Sequence, residues 1–376
     1  MSFNFISHLK EIDTESVSYY PPTSWVNLRQ GLLHYYQTYS IIRGKQNFPY
    51  FGIGANKVIL DEDRSHAYIG RYFTSITAIH SFYEHLLNTA LDSGKLKLSC
   101  LRIKDAHDIV LLLANKHEQL STDGNTIEYT KKISLLEAMM KQDTHIPELL
   151  RVNPIFHFLI DHSTALKHIG KLRNDIVHQG AKTLLRYHYE CLFINQIIPL
   201  VEDTLSLLEK SKVYIQKSLY CGVNVISTLR KQTLPHTISR SNIEEAQIKL
   251  RHINHLKELG RAAFENPLWM KADTPDLIQR EHIHRSHNLD IITLAEKQAQ
   301  ELAQLGGYFE IFTCPCCGAD SFVTYDLFIY REENNSARAE SGKCTLCSYS
   351  INAMLGEPSA FGIMTHPVFV DPRETE

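Results

Sequence analysis

The chain has 376 residues, 43% of them hydrophobic and 22% charged, enough for two or three globular domains and too apolar for wholesale disorder. Thirty-nine Lys and Arg against 42 Asp and Glu give a net charge of −3, which excludes a protein-wide basic coat and confines any nucleic-acid contact to a local patch. No apolar run approaches the roughly 18 residues of a membrane helix, and the first residues lack the basic-then-apolar order of a signal peptide, so a cytosolic protein without a membrane partner is expected.

Residues 1–65 are rich in Tyr and in turn formers such as Tyr19-Tyr-Pro-Pro22 and Asn47-Phe-Pro-Tyr50, and no role is assigned to them. Phe51-Gly-Ile-Gly-Ala-Asn-Lys57 contains a GxG without a third glycine at the right distance, and a plain turn is the better reading than a phosphate loop. From His66 the pattern changes. Ile69, Tyr72, Phe73, Ile76, Ile79, Tyr83, Leu86, Leu87, Ala90 and Leu91 recur at three- and four-residue steps and predict an amphipathic helix ending at Ser93-Gly94. Further helices are predicted around 104–115, 132–142, 155–169, 172–179 and 183–218, with Pro199 kinking or interrupting the last. The stretch from 66 to 232 reads as an all-α bundle.

Residues 233–242 look like a connector. Ser241-Asn-Ile-Glu244 has the pattern of a capping box, followed by a helix carrying Ile243, Ala246, Leu250, Ile253, Leu256 and Ala263. One more helix is predicted from Ala295 to Leu305, stopped by Gly306-Gly307. Beyond Tyr308 the period shortens to two, in short strands. The fold class expected is mainly α, with a helical bundle, a helical linker and a small β unit. The domain boundaries are an N-terminal segment (1–65), a helical domain (66–232), a connector (233–306), a ribbon (307–357) and a tail (358–376).

Five of the eight Cys crowd into residues 314–347. Cys314-Pro-Cys-Cys317-Gly and Cys344-Thr-Leu-Cys347 are two CxxC turns separated by 26 residues. In each, two intervening residues let the sulfurs face one point with backbone N–H groups turned towards them, and two such turns complete a tetrahedral four-sulfur shell suited to Zn²⁺. Gly318 permits a positive φ after the first turn, and the residues between fit a β-hairpin. The pattern resembles the zinc-ribbon family. Cys314, Cys317, Cys344 and Cys347 are the expected ligands, Cys316 is a spare thiol, and a closed Cys₄ shell makes the zinc structural. Between 308 and 356 three basic residues face six acidic ones, which favours a protein-docking or sensing role over phosphate binding and argues against a DNA-binding regulator.

The remaining motif is Arg173-Asn-Asp-Ile-Val-His178, between Gly170 and Gly180. Six arginines have a His after four to six intervening residues, at Arg29, Arg102, Arg151, Arg173, Arg230 and Arg280, and only Arg173 is followed directly by Asn. With the Ser81-Phe-Tyr-Glu84 helix upstream and a long apolar helix downstream, this segment resembles the HEPN superfamily (higher eukaryotes and prokaryotes nucleotide-binding domains) over roughly residues 66–232. The resemblance implies a metal-independent endoribonuclease with Arg173 and His178 in the site, Asn174 supporting them, and two copies meeting across a homodimer. It also implies a setting in bacterial antiphage or abortive-infection defence, with the ribbon receiving a protein trigger. The alternative is a non-catalytic HEPN-like adaptor that binds nucleotide or RNA beside a zinc-stabilised interaction module.

The residue chemistry fits cleavage. Attack by the 2′-OH needs a proton acceptor, a proton donor and a cation beside the phosphorane oxygens, roles that imidazole and guanidinium fill near neutral pH. On a regular helix Asn174 and His178 share a face, whereas Arg173 and His178 stand about 140° apart. Either the helix is irregular there or a second subunit supplies the partner. From 164 to 232 ten basic residues face five acidic ones, a local excess of the sign RNA needs. The bland alternative has Arg173 pairing with a carboxylate, Asn174 capping a helix and His178 as a terminal polar residue. Glu84 either lines the cleft or lies on the solvated face, and the scattered histidines, including His252, His255, His282, His284 and His287, read as surface groups.

Overall fold

The computed structural model of the chain describes residues 23–42, 51–53, 58–60, 66–93, 128–141, 153–179, 185–208, 215, 219–266, 289–305, 310–329, 337–352, 355 and 368–369. Among these the chain is mainly helical, with a small sheet near the C-terminus. The predicted helix at 104–115 lies outside the described residues. So do Gly306-Gly307 and the cluster His282, His284 and His287.

The helices are α1 (Thr23–Ile42), α2 (His66–Ser93), α3 (Tyr129–Lys141), α4 (Pro154–Asp161), α5 (Ser163–Asn174), α6 (Arg186–Leu192), α7 (Ile198–Leu207), α8 (Val225–Arg230), α9 (Ile243–Glu265) and α10 (Leu289–Leu305). Two short π-helical turns, Asp175–Gln179 and Phe193–Ile197, continue α5 and join α6 to α7. The second of these stands immediately before Pro199. Proline offers no N–H and its ring displaces the carbonyl four residues back, so a widened turn is the local answer to a proline the helix has to absorb.

The described chain divides into two compact units that interleave in sequence, one drawn from residues up to Leu32, Tyr72–Thr183 and Leu200–Ile215, the other from Leu33–Arg71, Leu184–Pro199 and the residues after Gln216. In the first unit the stripe of α2 is buried as its periodicity predicts, with Ile76, Ile79, Tyr83 and Leu87 at or below 1% exposure. Trp25 of α1 packs against Phe82 at 5.1 Å between ring centroids, and the Tyr83 hydroxyl meets Thr204 Oγ1 at 3.1 Å. Helix α4 starts as its sequence dictates, with Pro154 in the first turn and the Asn153 side chain accepting from the Ile155 N–H at 2.9 Å.

The single helix predicted at 155–169 is two, broken at His162 (φ −99°, ψ 13°). Helix α5 then runs through Gly170 instead of starting after it, so Arg173 and Asn174 close a helix and do not open one. Gly170 is tolerated because Tyr129 occupies its flank. A Cβ there would sit 2.8 Å from Tyr129 Cδ1 and 3.0 Å from Thr130 Cγ2. Gly170→Ala gains about 1 kcal/mol of helix propensity but overpacks this contact at a cost of about 1–3 kcal/mol. The expected net is a loss of up to about 2 kcal/mol in urea unfolding, with an unchanged m-value.

In the second unit, Lys257 of α9 and Glu190 of α6 form an ion pair with both side chains fully buried. The Tyr35 hydroxyl donates to the second carboxylate oxygen at 3.0 Å, and the Lys257 ammonium stands 4.7 Å from the centre of the Tyr35 ring. Burial pushes the Lys257 ammonium down and Glu190 opposes that. Removing either partner would strand the other charge away from water.

Helix α9 buries Ile243, Ala246, Leu250, Ile253, Leu256 and Ala263, all six predicted positions. Its capping box does not form. The N-cap is Asn242, with no side-chain bond to the helix. Asn242 Oδ1 instead accepts from the Ser239 N–H at 2.8 Å and its Nδ2 donates to the Thr237 carbonyl, so the connector's turn takes the side chain that the helix would have used. Glu244 and Glu245 still place negative charge in the first turn.

The sheet pairs β3 (Ile311–Phe312), β4 (Phe322–Ile329), β5 (Ala337–Cys344) and β6 (Ser350–Asn352) antiparallel in that order, and β7 (Val368–Phe369) joins β5 parallel. Separately, β1 (Phe51–Ile53) and β2 (Val58–Leu60) form a hairpin with Ile53 opposite Val58. Gly52 of the GxG segment thus lies within β1, and Gly54 lies outside the described residues.

Candidate functional site

The four predicted sulfurs come together. Those of Cys314, Cys317, Cys344 and Cys347 all lie within 4.8 Å of one another, with Cys314 to Cys347 at 3.6 Å and Cys317 to Cys344 at 3.7 Å. The β4–β5 hairpin brings the two CxxC turns together, since Phe322 pairs with Cys344. Each turn is closed by backbone: the Gly318 N–H donates to the Cys314 carbonyl at 2.9 Å, and the Cys344 N–H to the Tyr349 carbonyl at 2.7 Å. The Leu346 and Cys347 N–H groups point at Cys344 Sγ, at 3.3 and 3.4 Å, and Ser321 Oγ lies 3.1 Å from the same sulfur. Contacts with the S–H groups of Cys314, Cys317 and Cys347 hold the Cys344 thiol well below its ordinary range, while burial pushes Cys314 up. Buried thiols this close share negative charge instead of each ionising alone, and this soft anionic set is within reach of one metal ion.

Gly318 has φ 78°, as the spacing predicts, and Ser348, one residue past the second turn, has φ 58°. A serine there is strained. Arg261 of α9 holds it, donating to the Ser348 carbonyl at 2.8 Å and to Ser348 Oγ at 3.2 Å. Glu258, itself bound by Arg261, accepts from the Ser350 N–H at 2.8 Å. His255 Nε2 meets the Tyr349 hydroxyl at 2.6 Å. His255 is therefore no surface group: it is fully buried, and burial pushes its pKa down to about 3. The first turn is held by residues 220 and 221, whose N–H groups donate to the Cys316 and Pro315 carbonyls at 3.1 and 2.9 Å. Cys316 is buried and stands outside the four-sulfur set. The cysteine cluster is seated on its own chain through α9, through 219–222 and through α10, whose Ala295 carbonyl accepts from Thr345 Oγ1 at 2.7 Å.

The second candidate site lies in the first unit. Arg173 Nη1 donates to Asn174 Oδ1 at 3.0 Å, and both side chains are half-buried. Directly after them the backbone of Asp175–Gln179, which carries His178, is π-helical. The position of the His178 side chain lies outside the description. The π turn answers the spacing problem posed by the sequence. A turn that closes on the fifth residue, in place of the fourth, swings position 178 towards the face of position 173. Val177 on this turn is 51% exposed.

Sequence reasoning weighed Glu84 but missed His80 and Tyr129 beside this motif. His80 of α2 is only 4% exposed, and its ring centroid lies 4.5 Å from that of Tyr129. His80 Nδ1 stands 3.8 Å from Glu84 Oε2, one turn further along α2. Burial pushes the His80 pKa down, Glu84 opposes that, and the Arg173 guanidinium is near enough to reinforce it. The available signal was a polar ring at a core position of an apolar stripe, four residues before a carboxylate.

Of the charged residues between 164 and 232, Arg186 and Glu190 are buried, and Lys182, Glu209, Lys210, Lys212 and Lys217 lie outside the described residues. Among the described residues no helix is long and apolar enough to cross a membrane. No family model, curated protein or solved structure matches the chain.

Proposed function

We propose that the chain is a HEPN-type endoribonuclease that cleaves RNA without a catalytic metal, with Arg173 and His178 as its reacting groups and Asn174 orienting the guanidinium. The observation that carries this reading is the Arg173–Asn174 hydrogen bond placed directly before a π-helical turn that bears His178. π turns are frequent at functional sites, and the hydrogen bond to Asn174 fixes the direction in which the guanidinium presents its charge. The 2′-oxygen attacks the adjacent phosphorus as its proton passes to a general base, Arg173 balances charge on the phosphorane, and His178 in its protonated form gives a proton to the departing 5′-oxygen. The products are a 2′,3′-cyclic phosphate and a 5′-hydroxyl. Phosphatase-dependent end-labelling of cleaved RNA tests this; ends carrying 5′-phosphate would contradict it.

The cysteine cluster is assigned a structural Zn²⁺. Sulfurs 2.3 Å from a tetrahedral centre lie about 3.8 Å apart, and Cys314–Cys347 and Cys317–Cys344 stand at 3.6 and 3.7 Å. All four positions would be filled by sulfur, so the ion's part is to hold the two turns together. The proposed setting is a cytoplasmic antiphage or abortive-infection effector acting as a homodimer, with a protein trigger at the ribbon.

A further inference from the structure

We propose that Glu84 is a further catalytic residue, the acceptor of the 2′-OH proton, and that His80 is the positioning residue that holds its carboxylate. This inference rests on the ribonuclease reading and deepens it at the same site.

One motif supplies one imidazole, while transesterification moves two protons. If His178 donates to the 5′-oxygen, another group takes the 2′ proton. The packing of the first unit puts a carboxylate beside His80, on which the motif's Arg173 also bears. Tyr129 is the joint: its ring fills the flank of Gly170 on α5 and stacks at a tilt against His80 on α2. One turn beyond Gly170 on α5 come Arg173 and Asn174, and one turn beyond His80 on α2 comes Glu84. Lys132 fixes the pairing of α3 with α2 by donating to Asn88 Oδ1 at 2.9 Å. Tyr129 thus joins the two helices, and the Arg173 guanidinium and the Glu84 carboxylate both bear on the same imidazole, that of His80.

Exposure assigns the roles. The His80 side chain is 5% exposed and the Glu84 side chain 40%, so substrate can touch the carboxylate and not the imidazole. Buried His80 Nδ1 makes no hydrogen bond, and neither does the buried Tyr129 hydroxyl. The 3.8 Å from His80 Nδ1 to Glu84 is longer than a hydrogen bond, and contacts of this kind shorten when substrate arrives. The groups that bear on the pair are Arg173 from α5 and Tyr129 from α3. Burial keeps His80 neutral, which suits an N–H donor to a carboxylate.

The proton balance closes. The 2′-O–H bond breaks with its proton passing to Glu84, the 2′-oxygen forms a bond to phosphorus, and the P–O5′ bond breaks as the His178 imidazolium protonates the leaving oxygen. The reaction leaves Glu84 protonated and His178 neutral, the reverse of their starting states, and solvent exchange restores both.

The test uses the full chain and a short RNA, with single-turnover rates measured from pH 4 to 9 for wild type, Glu84→Gln, Glu84→Asp and His80→Gln. Glu84→Gln should slow cleavage about a hundredfold or more and abolish the low-pH limb, while its unfolding midpoint and its affinity for the 2′-deoxy analogue stay at wild-type values. Glu84→Asp should restore part of the rate and the limb. His80→Gln should shift that limb without removing it. A Glu84→Gln enzyme with wild-type rate and profile overturns the role of Glu84 and leaves the ribonuclease standing. A wild-type chain that does not cleave overturns both together.

Discussion

His178→Ala should reduce RNA cleavage by about a hundredfold to ten-thousandfold while leaving the unfolding midpoint within error of wild type. The separation of the two effects follows from position. The π turn that carries position 178 ends α5, and Val177 beside it is 51% exposed; the variant is expected to lose a proton donor and keep the packed helices. Arg173→Lys should be nearly as damaging, because a lysine keeps the charge but loses the planar fork that holds Asn174 with one nitrogen and leaves others for phosphate. Asn174→Ala should cost less, since it frees the guanidinium without removing it. A ranking with Asn174→Ala worst would mean that the motif is a helix end and nothing more. Measured affinity for a 2′-deoxy RNA separates binding from turnover: His178→Ala should bind as wild type, and Arg173→Lys should bind more weakly.

Cys344→Ser should be the most destabilising single change in the chain. Cys344 is the sulfur on which the cluster converges, receiving two backbone N–H groups and Ser321 besides the other thiols. Metal binding in small zinc sites is worth about 10–16 kcal/mol at neutral pH, comparable to the whole stability of a domain at about 5–15 kcal/mol. The damage should not stay in the ribbon. Ser348, Tyr349 and Ser350 are tied to Arg261, His255 and Glu258 on α9, and Lys257 on the same helix carries the buried pair with Glu190. Stripping the metal, or removing Cys344, should therefore expose α9 amides to hydrogen exchange, and zinc content should fall from one ion per chain to none. Loss of zinc with full protection of α9 would show that the helix does not depend on the cluster.

Local pattern carried much of this architecture. The stripes of α2 and α9 were legible because their core faces are nearly unbroken, and the doubled CxxC spacing identified four sulfurs that the fold gathers. Helix α1 was overlooked although Trp25, Leu28, Leu32, Tyr35, Tyr36 and Tyr39 keep helical spacing and are all buried, because the neighbouring prolines and tyrosines suggested turns. The capping box at Ser241–Glu244 failed because the helix starts one residue later than that pattern places it, with Asn242 as N-cap and its side chain claimed by the connector. Non-local effects were out of reach. No property of residues 163–180 alone says that Tyr129 will pack on Gly170 and carry α5 through it. Likewise, the burial of His255 is set by Tyr349, 94 residues away. An irregular helix was only one of two ways left open to reconcile the Arg173–His178 spacing, and the other, a second subunit, was preferred, so the π turn at Asp175–Gln179 was not foreseen.

The measurement that bears most directly on the central claim is cleavage of RNA by the purified, zinc-loaded chain with EDTA present to remove free divalent ions, His178→Ala being assayed in parallel. The account predicts cleavage by wild type, with 2′,3′-cyclic phosphate ends, and a loss of at least about a hundredfold in the variant. Equal cleavage by the two proteins, or cleavage that stops when free divalent ions are removed while the zinc stays bound, would contradict it.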